Sequence, residues 1–282
     1  MIILLLDAPL HSLRKTRFFK ALLGSRFNRP KMFELGFSFP IALRPLTHAS
    51  IRWTSKRVEP KIRQLVTDLI LALDQEEDKG SFFDVGANVG LYSLLVCSLS
   101  SNRKIIAFEP DPLNLELLGM THAQVTSGKW EVNAVALSDE SGHSDFSQDE
   151  ITSATGTLFS DEKPWIEKYL GCKAQTIRVR TNTLDQFTDS SQWPSLIKID
   201  VEGHESRVLN GAMDTLERNK PLIILESFPP QKIQVIEKLD RLGYEFADAD
   251  RWQALEEGTT NLFAWHPEGP LPKIIIKRIL NP

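Results

Sequence analysis

The chain has 282 residues, 41% hydrophobic and 25% charged, with 15 Gly and 16 Pro; this globular composition excludes collagen-like, coiled-coil and wholly disordered chains. Two cysteines, Cys97 and Cys172, are too few for a disulfide framework and suit a reducing, cytoplasmic compartment. The formal charge of −4 is uneven: the first 63 residues carry thirteen Lys and Arg against Asp7, Glu34 and Glu59, a net +10, so the rest carries −14.

In chain order, Met1-Ile-Ile-Leu-Leu-Leu6 reads as a short buried strand. No basic region precedes it, Asp7 closes it and no small-residue cleavage site follows, unlike a signal peptide. No apolar stretch approaches the ~20 residues needed to cross a bilayer. Leu10, Leu13, Arg14, Arg17, Phe18 and Leu22 give a rough amphipathic face on a basic arm, suited to phosphates, to peripheral contact with an anionic membrane, or to docking on the core. Phe33, Phe37, Phe39 and Trp53 are suited to stacking on a sugar or simply to packing.

Ile62, Leu65, Val66, Leu69, Ile70 and Leu73 form the stripe of an amphipathic helix from Pro60 to Leu73. Strands are expected at Ser81 to Val85, Lys104 to Glu109, Trp130 to Leu137, Ser195 to Asp200 and Pro221 to Glu226. Helices are expected at Asn88 to Leu99, where Cys97 packs as a small hydrophobe, at Leu113 to Met120 behind Pro112, at Glu205 to Arg218, and at Gln231 to Leu242. Ser138 to Asp161, rich in Ser, Asp, Glu, Gly and Thr, breaks the rhythm and reads as an inserted loop or hairpin of the kind that gates ligands. Tyr244 to Ala247 and Asn261 to Trp265 can pair as an antiparallel edge. Alternating strands and helices predict an α/β fold, a mostly parallel sheet covered on both faces.

The densest chemistry lies at Phe83-Asp-Val-Gly-Ala-Asn-Val-Gly90, a strand ending in glycines and opening a helix, where backbone amides can approach a ligand. Glu109 ends the next strand 25 residues after Asp84, where an acid accepts hydrogen bonds from an adenosine ribose. The pattern Gly86-x-Asn88-x-Gly90 departs from the dinucleotide G-x-G-x-x-G, and Asp84 beside the loop would repel a pyrophosphate. S-adenosylmethionine carries an ammonium and a sulfonium and no phosphate, so the same acid favours it. The bland alternative makes Asp84 and Glu109 strand-end caps and the glycines a plain turn.

The stretch resembles motif I of class I methyltransferases, and D-V-G-A-N-V-G-L-Y-S is similar in particular to the FkbM family. Ala107-Phe-Glu-Pro-Asp-Pro112, Val135-Ala-Leu-Ser-Asp139 with Gly142, Thr183-Leu-Asp185, Ile197-Lys-Ile-Asp-Val-Glu-Gly203 with Glu205, Leu209, Gly211 and Ala212, and Glu226 after Ile223-Ile-Leu continue the likeness. It spans about Glu59 to Ser227 and leaves the basic arm uncovered. The resemblance implies a Rossmann-like class I fold with a mostly parallel seven-stranded sheet and an antiparallel strand at the edge. It further implies S-adenosylmethionine as methyl donor, and O-methylation of a glycan or small-molecule hydroxyl. Asp84, Gly86, Asn88, Gly90, Glu109 and Asp200 would hold the cofactor, with Ala136 near the adenine; this chain has Ala134 where the family usually has Asn. On this basis residues 1–58 are a basic extension partly packed on the core. Residues 59–270 are the catalytic domain, with an insertion at about 138–182, and 271–282 are a C-terminal tail.

Transfer to a hydroxyl needs an in-line acceptor and a group to take its proton. Asp200, Glu202 and His204 share the carboxyl edge with the glycine turn; Glu202 is assigned to acceptor positioning or proton removal, and His204 assists it. Asp200, Glu202 and Glu226 offer oxygen ligands to a divalent cation, but no metal is expected. Asp200-Val-Glu-Gly203 stands where methylases of exocyclic base amines carry an Asn/Asp-Pro-Pro-aromatic motif, so no specific nucleic acid is expected. The alternatives are a nicotinamide oxidoreductase on a similar sheet and a non-catalytic nucleotide- or membrane-binding domain.

Overall fold

The computed structural model describes residues 26–54, 59–126, 129–148, 156–158 and 175–281. The expectations for Met1 to Leu6, for the arm from Leu10 to Leu22, for Cys172 and for the side chain of Trp53 lie outside what is described.

Strands β1 (Lys31–Phe33) and β2 (Ile41–Leu43) pair antiparallel, and β2 is fully buried. Phe33, Phe37 and Phe39, each partly buried, pack against the core. Helices α1 (Ala49–Thr54) and α2 (Pro60–Gln75) lead to β3 (Ser81–Val85), α3 (Leu91–Leu99), β4 (Ile105–Phe108), α4 (Pro112–His122) and β5 (Trp130–Asn133). A second group holds β6 (Ala136–Leu137), β7 (Gly142–Gln148) and β8 (Gln175–Asn182). Then come β9 (Pro194–Ile199), α5 (Glu205–Asn210), α6 (Met213–Asn219), β10 (Leu222–Glu226), α7 (Gln231–Arg241), β11 (Glu245–Asp248), β12 (Asn261–Trp265) and α8 (Lys273–Leu280).

Seven strands form one sheet in the order β11-β12-β10-β9-β3-β4-β5. The run from β10 to β5 is parallel, and β12 is antiparallel to both its neighbours. The reversed strand therefore sits one place in from the edge, and β11 forms the edge itself. Chain order reverses between β3 and β9, the crevice where open α/β sheets receive ligands.

Strand parity divides the core. Phe82, Ile105, Ala107, Leu196 and Ile224 pack with α2, α3 and α8, whereas Phe83, Ile106, Phe108, Ile197 and Ile223 pack with α5, α6 and α7. Both faces are covered, so these strands read as continuous apolar runs. Among the described residues no helix is long and apolar enough to cross a membrane.

Three expectations change. The strand Trp130 to Leu137 is broken by a tight turn in which Val135 N donates to Asn133 O (2.9 Å), and β6 leaves for a three-stranded sheet with β8 and β7. The helix Glu205 to Arg218 is two helices. Gly211 lies so close to β6 that a Cβ there would stand 2.0 Å from Ser138 O, and Asp185 Oδ1 accepts from Thr215 N (2.8 Å), giving α6 its own start. The C-terminal tail contains α8, whose Ile276 is fully buried in the layer that holds α2.

Candidate functional site

At the reversal point the carboxyl ends of β3, β4 and β9 border an open cleft of about 640 Å³, the solvent at its mouth included. Gly86 and Asn88 supply its floor, Glu109 and Asn114 one wall, Asp200, Glu202 and His204 the opposite wall, and Val135, Ala136 and Leu137 an apolar side. Phe146, Thr157 and Leu158 of the insertion complete it.

The glycine turn is held by its neighbours. Gly86 N and Ala87 N both donate to Phe108 O (3.0 Å each), and Asp200 N donates to Val85 O (3.0 Å). Gly86 has φ 78°, and a Cβ on it would stand 1.9 Å from Asp200 O. The turn and the end of β9 thus approach more closely than any side chain permits. Gly90, φ 84°, would turn a Cβ onto Leu118 and Trp130 and is not among the cleft-lining residues.

Asp84 does not guard the mouth of the turn, and this corrects the expectation drawn from its position. It shares a sheet face with Phe82, is 1% exposed and is absent from the cleft lining. Its Oδ2 accepts from Ser93 N (3.0 Å) and Ser93 Oγ (2.6 Å), so it caps the first turn of α3 from the neighbouring strand. Burial raises its pKa, with Lys198 and Ser93 acting the other way.

Glu109 does face the cleft. Its Oε2 accepts from Asn88 N (2.7 Å) and its Oε1 from Asp111 N (2.8 Å), which ties the glycine turn to the start of α4. Burial pushes its pKa up to about 7 against these bonds.

After β9 the chain turns through Glu202 (φ 50°) and Gly203 (φ 93°), and Glu202 O accepts from Thr157 Oγ1 (2.7 Å). His204 is buried, and its Nε2 lies 2.9 Å from Ser138 Oγ. That hydroxyl has one proton and Asp139 Oδ1 is its acceptor at 3.0 Å, so Nε2 carries the imidazole proton. Burial first, and Arg207 second, push His204 down to about 4, leaving it neutral at physiological pH. Three residues without an assigned role support this edge. Glu205 accepts from Gly203 N (2.8 Å), and burial pushes its pKa up to about 7. Gln148 Nε2 donates to Asp111 Oδ1 (2.6 Å), anchoring the insertion beside the cleft. Lys198, the lone cation in the buried strand β9, donates to Asp200 Oδ2 (2.9 Å). An isolated Lys in such a run was the signal that could have marked it.

The carboxylates that converge differ from the set that offered oxygen ligands in the sequence. Oxygens of Glu59, Asp200 and Glu226 lie within 4.8 Å of one another, and Glu202 is not among them. Tyr92 OH donates to Glu59 Oε2 (2.6 Å), and burial raises the pKa of Glu59 and pushes Glu226 up to about 8.

Among known families, the methyltransferase FkbM domain matches residues 84–246, more than half of the chain and every element that builds the cleft floor. The chain belongs to the FkbM methyltransferase family. The FkbM match contains Asp84, Glu109 and Asp200-Val-Glu-Gly203 but not Glu59 or the β1–β2 pair. Hexuronic acid methyltransferase AglP of Haloferax volcanii is 30% identical over 173 aligned positions, covering 59% of this chain and 66% of that protein. The AMB antimetabolite synthetase AmbE of Pseudomonas aeruginosa is 29% identical over 229 aligned positions, covering 65% of this chain and 10% of that one. The chain thus spans just under two thirds of one relative and a tenth of the other. The crystal structure of methyltransferase FkbM from Methylobacillus flagellatus superposes with TM-score 0.45 at 15% identity, over 66% of this chain and 44% of that one.

Proposed function

We propose that the chain is an S-adenosylmethionine-dependent methyltransferase that methylates a hydroxyl oxygen of a glycan or small-molecule acceptor. One observation carries the choice of cofactor in this FkbM chain. The described lining of the cleft holds three carboxylates, Glu109, Asp200 and Glu202, and no Lys or Arg. A diphosphate would meet no cation there, whereas an ammonium and a sulfonium meet acids on both walls. The acidic role expected of Asp84 thus falls to Asp200 and Glu202.

When bound, S-adenosylmethionine supplies an electrophilic methyl group on a cationic sulfur. Gly86 and Asn88 form the floor on which it would rest, Glu109 would accept from the ribose hydroxyls, and Val135, Ala136 and Leu137 would flank the adenine. Glu202 would orient the acceptor hydroxyl and take its proton. His204, neutral and with Nε2–H committed to Ser138, would offer a hydrogen bond and not a charge. The insertion would shape the acceptor side through Phe146, Thr157 and Leu158. The similarity to AglP, a hexuronic acid methyltransferase, supports a sugar acceptor.

Calorimetry with S-adenosylmethionine and NAD, followed by labelled-methyl transfer to neutral sugars, hexuronic acids and small polyols, tests the proposal. Binding of the first cofactor and label in an ether linkage are expected. NAD binding without S-adenosylmethionine binding would select an oxidoreductase, cofactor binding with sustained inactivity a non-catalytic domain, and label in an ester a carboxylate acceptor.

A further inference from the structure

On the α2–α3 face of the sheet, behind the cleft wall, lies a buried cation. Lys198 is 6% exposed and stands in register with Asp84 on β3 and Ile224 on β10. Its ammonium lies 4.6 Å from the centre of the Tyr92 ring and donates to Asp200 Oδ2 (2.9 Å). Tyr92 in turn holds Glu59, so β9, α3 and the start of α2 meet around one positive charge. Burial works to lower the Lys198 pKa, yet the carboxylates of Asp200, Glu59 and Asp84 outweigh it and raise the value above the usual range.

Burying an ammonium is costly unless carboxylates surround it, so this charge has a reason to be here. Among the described residues, Lys198 is the one side chain that hydrogen-bonds the Asp200 carboxylate. Asp200 also stands close to Glu59 and Glu226, and crowding of the three acids works against their ionising together. The ammonium is the described group that holds the Asp200 carboxylate at the cleft wall beside them.

We propose that Lys198 is a positioning residue that acts through Asp200, fixing an anionic wall for the cationic end of the ligand. This rests on the cofactor reading above. It predicts a thermodynamic cycle: Lys198→Met matters to the ligand only while Asp200 is an acid.

S-adenosylmethionine binding is measured by calorimetry for the full chain, Asp200→Asn, Lys198→Met and the double variant. Each single change is expected to weaken binding about tenfold or more, as for the loss of a charge-assisted bond, and the double variant should bind like Asp200→Asn. A purely structural lysine would weaken binding again in the Asp200→Asn background, so multiplied losses overturn the proposal, as does parent-like binding by Lys198→Met. Should Lys198→Met not fold, Lys198→Gln, which retains a donor without the charge, takes its place in the same cycle with the same two outcomes. Failure of the unaltered chain to bind S-adenosylmethionine overturns the cofactor reading and this proposal together; binding that is indifferent to Lys198 overturns the proposal alone.

Discussion

Replacing Gly86 with Ala puts a methyl group 1.9 Å from Asp200 O and 2.9 Å from Asp200 C, both backbone atoms. No rotamer relieves that contact, so the turn must move off the end of β9. A left-handed residue with a Cβ costs ~1–2 kcal/mol and overpacking ~1–3 kcal/mol, while the stiffer unfolded chain returns ~0.4–1 kcal/mol, which leaves roughly 1–5 kcal/mol of destabilisation. Two controls separate the terms. Gly36, φ 86°, has nothing within 4 Å of its would-be Cβ, so Gly36→Ala loses only the backbone term, about 1 kcal/mol. Gly119 lies in α4 with equally open space, so Gly119→Ala gains about 0.8–1 kcal/mol of helix propensity. Urea unfolding followed by circular dichroism should rank Gly86→Ala well below Gly36→Ala, and Gly119→Ala above the parent. Calorimetry should show cofactor binding lost in the first alone. A Gly86→Ala chain no less stable than Gly36→Ala would refute the close approach of the turn to β9.

Glu109 has its pKa raised from 4.5 to about 7, so the native state binds more protons than the unfolded chain between those values and stability falls as pH rises through that window, by on the order of 3 kcal/mol. Glu109→Gln should flatten this slope, starting below the parent at acid pH because one amide, Asn88 N or Asp111 N, loses its acceptor; equal slopes in urea titrations across pH would count against it. His204, depressed from 6.5 to about 4, gives the opposite sign: its contribution is intact above 6.5 and is lost as pH falls to 4. His204→Gln should therefore resist acid better than the parent, and an unchanged acid-unfolding midpoint would mean that the imidazole is not desolvated. Arg103, its side chain 1% exposed, donates to Asp74 Oδ1 (2.7 Å), Asp78 Oδ1 (3.0 Å) and Gly80 O (2.6 Å). Arg103→Met takes the cation from both acids, of which Asp78 keeps Gly80 N (3.0 Å) and Ser195 Oγ (2.6 Å), and should cost about 1.5–3 kcal/mol in urea unfolding; a loss below about 0.5 kcal/mol would show the cluster to be solvated.

The main sheet is legible in the sequence because both its faces are covered: Phe82 and Phe83, or Ile105 and Ile106, need no alternation, and Gly86 and Pro110 mark where β3 and β4 stop. What escapes is set by contacts distant along the chain. The break at Gly211 comes from Ser138 O, and the three-stranded sheet needs β8 to find a two-residue strand far upstream. At the site, Glu109 and Asp200-Val-Glu-Gly203 announce themselves as acids at strand ends. The direction of Asp84 does not, since parity shows that it opposes Phe83 but not which face the cleft borders. Glu59 enters the acid cluster only through folding of α2.

That parity has a consequence for charge. Had Asp84 pointed into the cleft, its carboxylate could have met a cationic ligand unaided. Turned to the α2–α3 face instead, it joins Glu59 in surrounding Lys198, and Lys198 reaches Asp200, which does line the cleft. The negative wall is thus held from behind by acids and one cation that themselves lie outside the lining. An Asp84→Asn change would act on the ligand at one remove, through α3 and Lys198, and not through the loss of a direct contact.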